Sequence, residues 1–277
     1  MNFHEFRFEP IENESLKDLL LGELMELGFE SYAEEEGECL LGYIAADHYR
    51  QGLLDDCEFL KDNPLIKVTE KVLDDKNWNE EWEKNYNPVL IDGKCFVRAP
   101  FHEPMPGARF EIVIEPKMAF GTAHHETTQL MATWLMEQDV AGLTVLDMGC
   151  GTGILAILAN KMGASYVKGI DNDEWAWRNA LENFRMNGVE QGDVLLGDVM
   201  QVELGKYDLI LANINRNILL QDLPDYAKGL KTGGKILLSG FYESDRDSIS
   251  KKAGENGLRF IGIKSLNLWA AMLFIKA

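Results

Sequence analysis

Val145-Leu146-Asp147-Met148-Gly149-Cys150-Gly151-Thr152-Gly153-Ile154-Leu155-Ala156 is the stretch that decides how this chain folds. An apolar run with strand character passes into three alternating glycines and then into a helical pattern. Glycines let a turn adopt positive φ and let a ligand approach the backbone closely. The helix that follows presents unpaired N–H groups at its start. Downstream, Lys168-Gly169-Ile170-Asp171 ends a second apolar run on a carboxylate 22 residues after Gly149. An acidic side chain in that place accepts hydrogen bonds from both ribose hydroxyls of a nucleoside. Gly197-Asp198 ends the next run, where a carboxylate or a backbone group can hold an adenine amino group.

Two ligands suit this arrangement. Gly151-x-Gly153-x-x-Ala156 formally satisfies a dinucleotide fingerprint, which would set a pyrophosphate on the helix N-terminus. The spacing Asp-x-Gly-x-Gly-x-Gly, opened by Asp147, suits a ligand without phosphate better. A carboxylate there offsets the charge of an ammonium or sulfonium group and would repel a pyrophosphate. S-adenosyl-L-methionine is therefore the expected cofactor. Asp147, Gly149, Gly151, Gly153, Asp171 and Asp198 are its candidate contacts, and a nicotinamide dinucleotide is the alternative.

Around this loop the chain alternates strands and helices. Strands are expected at Thr144–Met148, Tyr166–Ile170, Asp193–Leu196, Tyr207–Ala212 and Lys235–Ser239, with helical patterns between most of them. That order predicts an α/β fold with a mostly parallel, doubly wound sheet. Leu258–Lys264 and Leu268–Ile275 follow one another without a helix, which predicts an antiparallel hairpin at the sheet edge. Before the loop, Val89–Ala99 reads as a hairpin through Asp92-Gly93, and Phe110–Ile114 as a strand.

The first 75 residues read as a separate α+β module. Its elements are a strand at 2–8, a helix over 14–27 with Asn13 as N-cap and Gly28 at its end, strands near Phe29–Ala33 and Cys39–Ala46, a helix over Asp47–Leu60, and a strand at Leu65–Val72. This is the β-α-β-β-α-β order of the ferredoxin-like motif, read as a docking domain. Residues 76–88 read as a polar linker helix stopped before Pro88, with Trp78 and Trp82 on one face, packed against a neighbouring domain. The catalytic domain is then 89–277.

Charge is unevenly spread. Residues 1–90 hold 23 acidic and 8 basic side chains, a net −15, out of −19 for the chain. Such a surface repels phosphate backbones, so direct nucleic-acid binding is not expected. It either steers a basic protein toward the enzyme or serves solubility. Cys39, Cys57, Cys95 and Cys150 form no C-x-x-C pair and read as buried thiols of a reducing compartment. No apolar run is long enough to span a membrane, and the N-terminus lacks signal-peptide design; a cytoplasmic monomer is expected.

The D-x-G-C-G-x-G loop, the I-D strand end and the two terminal strands resemble the seven-stranded, Rossmann-like class I methyltransferases. Two further segments narrow the resemblance. Glu115-Pro116-Lys117-Met118-Ala119-Phe120-Gly121-Thr122-Ala123-His124-His125-Glu126-Thr127-Thr128 precedes the helix leading into the loop and reads as a lid. Leu211-Ala212-Asn213-Ile214-Asn215 ends the fourth strand, where ligands of open α/β sheets sit. Together with paired tryptophans before the catalytic domain, these resemble the ribosomal protein L-eleven (L11) methyltransferases of PrmA type. The resemblance implies cofactor contacts at Thr128, Gly149, Asp171 and Asn213, and a front module that recognises ribosomal protein L11. The chain departs from that pattern in the lid, where Ala123-His124-His125-Glu126 replaces Gly-Thr-His-Pro. No further ligands accompany His124 and His125, so no metal site is expected.

The expected reaction is methylation of an amine. It requires alignment of nucleophile, methyl and sulfur, and a neutral nitrogen. Deprotonating a lysine at pH 7 costs roughly 4.6 kcal/mol, and an N-terminal amine about 1 kcal/mol. Asn213 is the candidate catalytic residue, its carbonyl accepting from the amine N–H; a structural asparagine is the alternative. Phe120 is the candidate apolar wall, and His125 a candidate proton acceptor. The substrate is expected to be amino groups of L11, with another protein or a small-molecule amine as the alternative.

Overall fold

The computed structural model describes residues 3–11, 14–35, 39–73, 86–117 and 120–277. The chain divides into two compact units, Met1–Tyr86 and Asn87–Ala277. The expected linker helix, with Trp78 and Trp82, lies outside the described residues, as does Asn13.

In the first unit the alternating N-terminus forms β1 (Phe3–Glu9), followed by α1 (Glu14–Glu26), β2 (Ser31–Glu35), β3 (Cys39–Ala45), α2 (Glu58–Asp62) and β4 (Lys67–Leu73). The sheet order is β2-β3-β1-β4 with all neighbours antiparallel, the ferredoxin-like arrangement. Phe6 and Phe8 of β1, Leu20 and Leu24 of α1, and Leu40 and Ile44 of β3 form its core. Gly28 takes φ +92 just past α1, as a helix-ending glycine should. Phe29 N–H still bonds back to Leu24, which delays β2 to Ser31.

The helix expected over Asp47–Leu60 does not form as one piece. Gly52 adopts φ +79, a short 3-10 turn covers Leu53–Asp56, and Cys57 is extended before α2 begins. Either backbone departure interrupts a continuous helix. The Glu23 carboxylate of α1 accepts the Phe59 N–H at 3.0 Å, and so fixes where α2 starts.

The second unit opens with β5 (Val89–Ile91), β6 (Cys95–Arg98) and β7 (Phe110–Val113), a small sheet in that order. Its hairpin turns through Asp92 and Gly93, both at positive φ. Then follow α3 (Glu126–Met136), β8 (Thr144–Met148), α4 (Ile154–Lys161), β9 (Tyr166–Asp171), α5 (Glu174–Met186) and β10 (Gly192–Leu196). The chain continues through β11 (Tyr207–Asn213), α6 (Arg216–Gly229), β12 (Leu230–Tyr242), α7 (Arg246–Glu255), β13 (Leu258–Leu266) and β14 (Trp269–Lys276).

The seven-stranded sheet runs β10-β9-β8-β11-β12-β14-β13, parallel except for β14, which is antiparallel to both neighbours. Apolar clusters cover both faces, so β8 buries Val145 on one side and Leu146 on the other. That is why its strands read as nearly continuous apolar runs. Strand order reverses between β8 and β11, and a crevice opens at such a switch point. Among the described residues no helix is long and apolar enough to cross a membrane.

Candidate active site

The glycine loop leaves β8 at the switch point. Gly149 and Gly151 sit at φ +64 and +55, where L side chains are disfavoured. A Cβ on Gly149 would stand 2.3 Å from Ile214 Cγ2, and one on Gly151 would stand 2.3 Å from the Phe120 carbonyl oxygen. The loop is therefore pressed between the end of β11 and the lid segment. Gly153 instead serves packing: it starts α4, and a Cβ there would meet Phe184 of α5.

A cleft of about 290 Å³ lies over this loop. Phe120, Gly149, Gly151, Asp171 and Asn213 line it, as expected residues drawn together. Asn172, Asp173, Ala176 and Ile214 line it too, and sequence reading had not singled them out. Their signal was positional, since each directly follows a strand end or opens the next helix. Asp171 Oδ2 accepts the Gly151 N–H at 2.8 Å, and Oδ1 accepts the Asp173 N–H at 3.0 Å. The carboxylate thus shapes the loop while its remaining lone pairs stay available to a ligand.

Asp147 occupies a different place from the one expected. It is 1% exposed and lies off the cleft wall, and its Oδ2 accepts the Ala156 N–H of α4 at 3.0 Å. Burial pushes its carboxyl up to about 8, and the nearby Asp171 charge adds to this. An acid held toward its neutral form behind the loop anchors α4 through the Ala156 N–H. Asp198 also lies off the cleft wall, exposed, with its carboxylate accepting the Met200 N–H to cap a short turn.

The lid is bound to the loop through backbone. Thr152 N–H donates to Phe120 O at 2.9 Å, and Thr152 Oγ1 donates to Gly121 O at 2.7 Å. Asn183 of α5 donates to Thr152 O at 2.8 Å and accepts from Glu115 N–H at 2.9 Å. Asn179 and Asn187, one turn to either side, bond Glu115 and Val113. This asparagine ladder was missed; the i, i+4, i+8 spacing on one helix face was its signal. Ala123, standing where the resembled pattern has glycine, keeps φ +70 and is fully buried. Met118 and Ala119 lie outside the described residues.

His125 caps α3. Its Nδ1 accepts the Thr127 N–H at 3.2 Å, so the neutral ring carries its hydrogen on Nε2. The same Nδ1 lies 2.9 Å from Thr127 Oγ1, so this nitrogen is engaged within the cap. His124 Nε2 donates to Asn87 O at 2.9 Å. Three residues into the same helix turn, buried Thr128 presents Oγ1 to Asn213 Nδ2 at 3.4 Å. Asn213 Oδ1 is buried and has no hydrogen-bond partner among the described residues. Such an acceptor calls for an explanation, and a donor brought by a ligand supplies one.

Residues 18–277 match the family description "Ribosomal protein L11 methyltransferase (PrmA)". The chain is 47% identical to the ribosomal protein L11 methyltransferase of Porphyromonas gingivalis, over 97% of this chain and 93% of that one. It is 43% identical to the same-named protein of Bacteroides thetaiotaomicron, over 99% of each. Among solved structures it is similar to the ribosomal protein L11 methylase of Lactobacillus delbrueckii subsp. bulgaricus. There the TM-score is 0.63 at 28% identity, with 69% of this chain and 99% of that one covered.

Proposed function

This chain belongs to the ribosomal protein L11 methyltransferase (PrmA) family, and on that premise we propose that it methylates amino groups of ribosomal protein L11, on lysine side chains and/or the N-terminus. S-adenosyl-L-methionine is the methyl donor, and it supplies a methyl group already activated on a sulfonium. The observation that carries the reading is the orphaned Oδ1 of Asn213 at the head of β11, in the cleft that also holds Gly149, Gly151 and Asp171.

The residues present suit that cofactor. Gly149 and Gly151 leave backbone uncovered at the cleft, and Asp171 has acceptor capacity left for ribose hydroxyls. Asn213 Oδ1 accepts a hydrogen bond from the acceptor amine and directs its lone pair, while Thr128 Oγ1 holds the amide in that orientation. Phe120 presents an apolar wall in the same cleft, and desolvation there lowers the cost of the neutral amine. His125 Nδ1 is committed to its helix cap, so no proton is routed through it.

The N-terminal module over 1–75 recognises the protein substrate: residues 1–90 carry a net −15, which attracts a basic partner and disfavours direct nucleic-acid contact. The enzyme acts as a monomer in the cytoplasm.

The test is mass spectrometry of purified L11 incubated with the enzyme and S-adenosyl-L-methionine. Gains in steps of about 14 Da are expected, one for each methyl replacing a hydrogen on nitrogen. No gain, together with clear thermal stabilisation by the cofactor, would overturn L11 as substrate and point to another protein or a small-molecule amine.

A further inference from the structure

We infer that the aromatic row Phe120–His125–Trp269–Tyr242 is the wall that receives the cationic acceptor side chain, and that Leu268 seats the apolar part of the segment carrying it. This rests on the methyltransferase reading above and adds the acceptor's entrance to it.

The row lies where β11 and β12 end and β14 begins. Asn213 ends β11, Tyr242 ends the neighbouring β12, and Trp269 opens β14 directly opposite Tyr242. Phe120 stands in the cleft beside Asn213. From there ring centroids step outward at 5.2 Å to His125, 4.8 Å to Trp269 and 4.3 Å to Tyr242. Both ends of the row are open, Phe120 at 53% and Tyr242 at 49% exposure. A row of packed aromatic rings, open at both ends and leading to an orphaned acceptor, is suited to an ammonium, which π systems attract. Among the described residues, the chain's own cation–π contacts fall on Phe110, Tyr166, Phe260 and Trp134, and none on this row.

The charge beside it has the matching sign. Glu126 follows His125, and the hydrogen bond from Asn267 holds its carboxyl below the usual range. Glu243 follows Tyr242. His125 points its Nδ1 back to the Thr127 N–H of its own helix cap, at 3.2 Å.

The hairpin tip between β13 and β14 supplies an independent observation. Asn267 and Leu268 both have positive φ, +49 and +71, and the Leu268 side chain is 75% exposed. A leucine in the left-handed region is uncommon, and this one gains no burial in return. The tip is nevertheless clamped from both sides. Glu126 Oε1 accepts from Asn267 Nδ2 at 3.1 Å, and Leu268 O accepts the Glu243 N–H at 2.8 Å. Strain held in place at the rim of a site points to use there.

Initial rates with purified L11 and S-adenosyl-L-methionine, read by mass, test this in four proteins. Trp269→Leu keeps apolar bulk but loses the π face; its KM for L11 should rise about tenfold with kcat within about threefold of wild type. Trp269→Phe should stay within about threefold in both. Leu268→Gly relieves the backbone and should raise KM severalfold without lowering Tm, a pairing that a merely structural leucine would not produce. Equal KM for the Leu and Phe variants, or an unchanged KM for Leu268→Gly, overturns the inference while leaving the methyltransferase intact. If Trp269→Leu no longer gains Tm from the cofactor, Tyr242→Leu, on an exposed ring, takes its place with the same two outcomes. A wild type that leaves L11 unmodified although the cofactor stabilises it overturns the L11 reading, and this inference with it.

Discussion

Asn213 Nδ2 lies 3.4 Å from Thr128 Oγ1, and that contact turns the other end of the amide, Oδ1, into a buried acceptor with no partner among the described residues. Leaving an acceptor in this state costs about 1–3 kcal/mol. Asn213→Ala should therefore slow methyl transfer by well over tenfold. Thr128→Val, which only frees the amide to turn, should cost roughly fivefold. Initial rates of mass gain on L11 decide, and a near-wild-type Asn213→Ala enzyme would remove this residue from the chemistry.

The two cleft glycines should respond differently to a second mutation. Gly149→Ala collides with a side chain, Ile214 Cγ2, whereas Gly151→Ala collides with the Phe120 backbone carbonyl. Each should abolish the rise in Tm caused by S-adenosyl-L-methionine. Adding Ile214→Ala should restore part of that rise to Gly149→Ala, since only about 1 kcal/mol of backbone strain then remains. Adding Phe120→Ala should restore nothing to Gly151→Ala, because the carbonyl stays. A rescue by Phe120→Ala would show that the loop and lid are not in backbone contact.

Asp147 sets a pH dependence. Its carboxyl is pushed up to about 8 by burial, so the folded state binds its proton more tightly than the unfolded chain does. The stabilisation from this group is full below about pH 4 and is lost as pH rises through about 8. Asp147→Asn keeps an acceptor for the Ala156 N–H and removes the titration. Its Tm relative to wild type should climb steadily from about pH 5 to about pH 8.5. A flat or falling difference would contradict the buried placement.

Asn183 is fully buried and bridges Glu115 N–H to Thr152 O. Asn183→Ala strands both backbone groups and should cost about 2–4 kcal/mol by denaturant unfolding. It should also weaken cofactor binding, because Thr152 carries two of the bonds to the lid. Loss of stability with an unaltered cofactor Kd would separate the ladder from the site.

Much of this molecule is legible in its sequence. The parallel sheet announced itself because strands covered on both faces must be apolar throughout, and the glycine loop because positive φ at Gly149 and Gly151 admits little else. Asn213 and Asp171 were found by one rule, that ligands gather at strand C-terminal ends. The front module's strand and helix order was legible too, but not the break at Gly52 and Cys57, where helical periodicity continues across a backbone that does not.

The sequence by itself determined the two-part architecture, the glycine loop and the two strand-end residues that line the cleft over it, since each follows from local periodicity and steric permission. Tertiary structure alone decided that Asp147 turns inward to α4, that Asn183 fastens the lid to the loop, and that His125 is spent on a cap while its ring joins Trp269. Those outcomes depend on partners brought together from distant parts of the chain, such as Asn183 with Glu115, 68 residues apart, or on which way a pleat points a side chain. Periodicity records which face of an element is buried; it carries no information about what that face will meet.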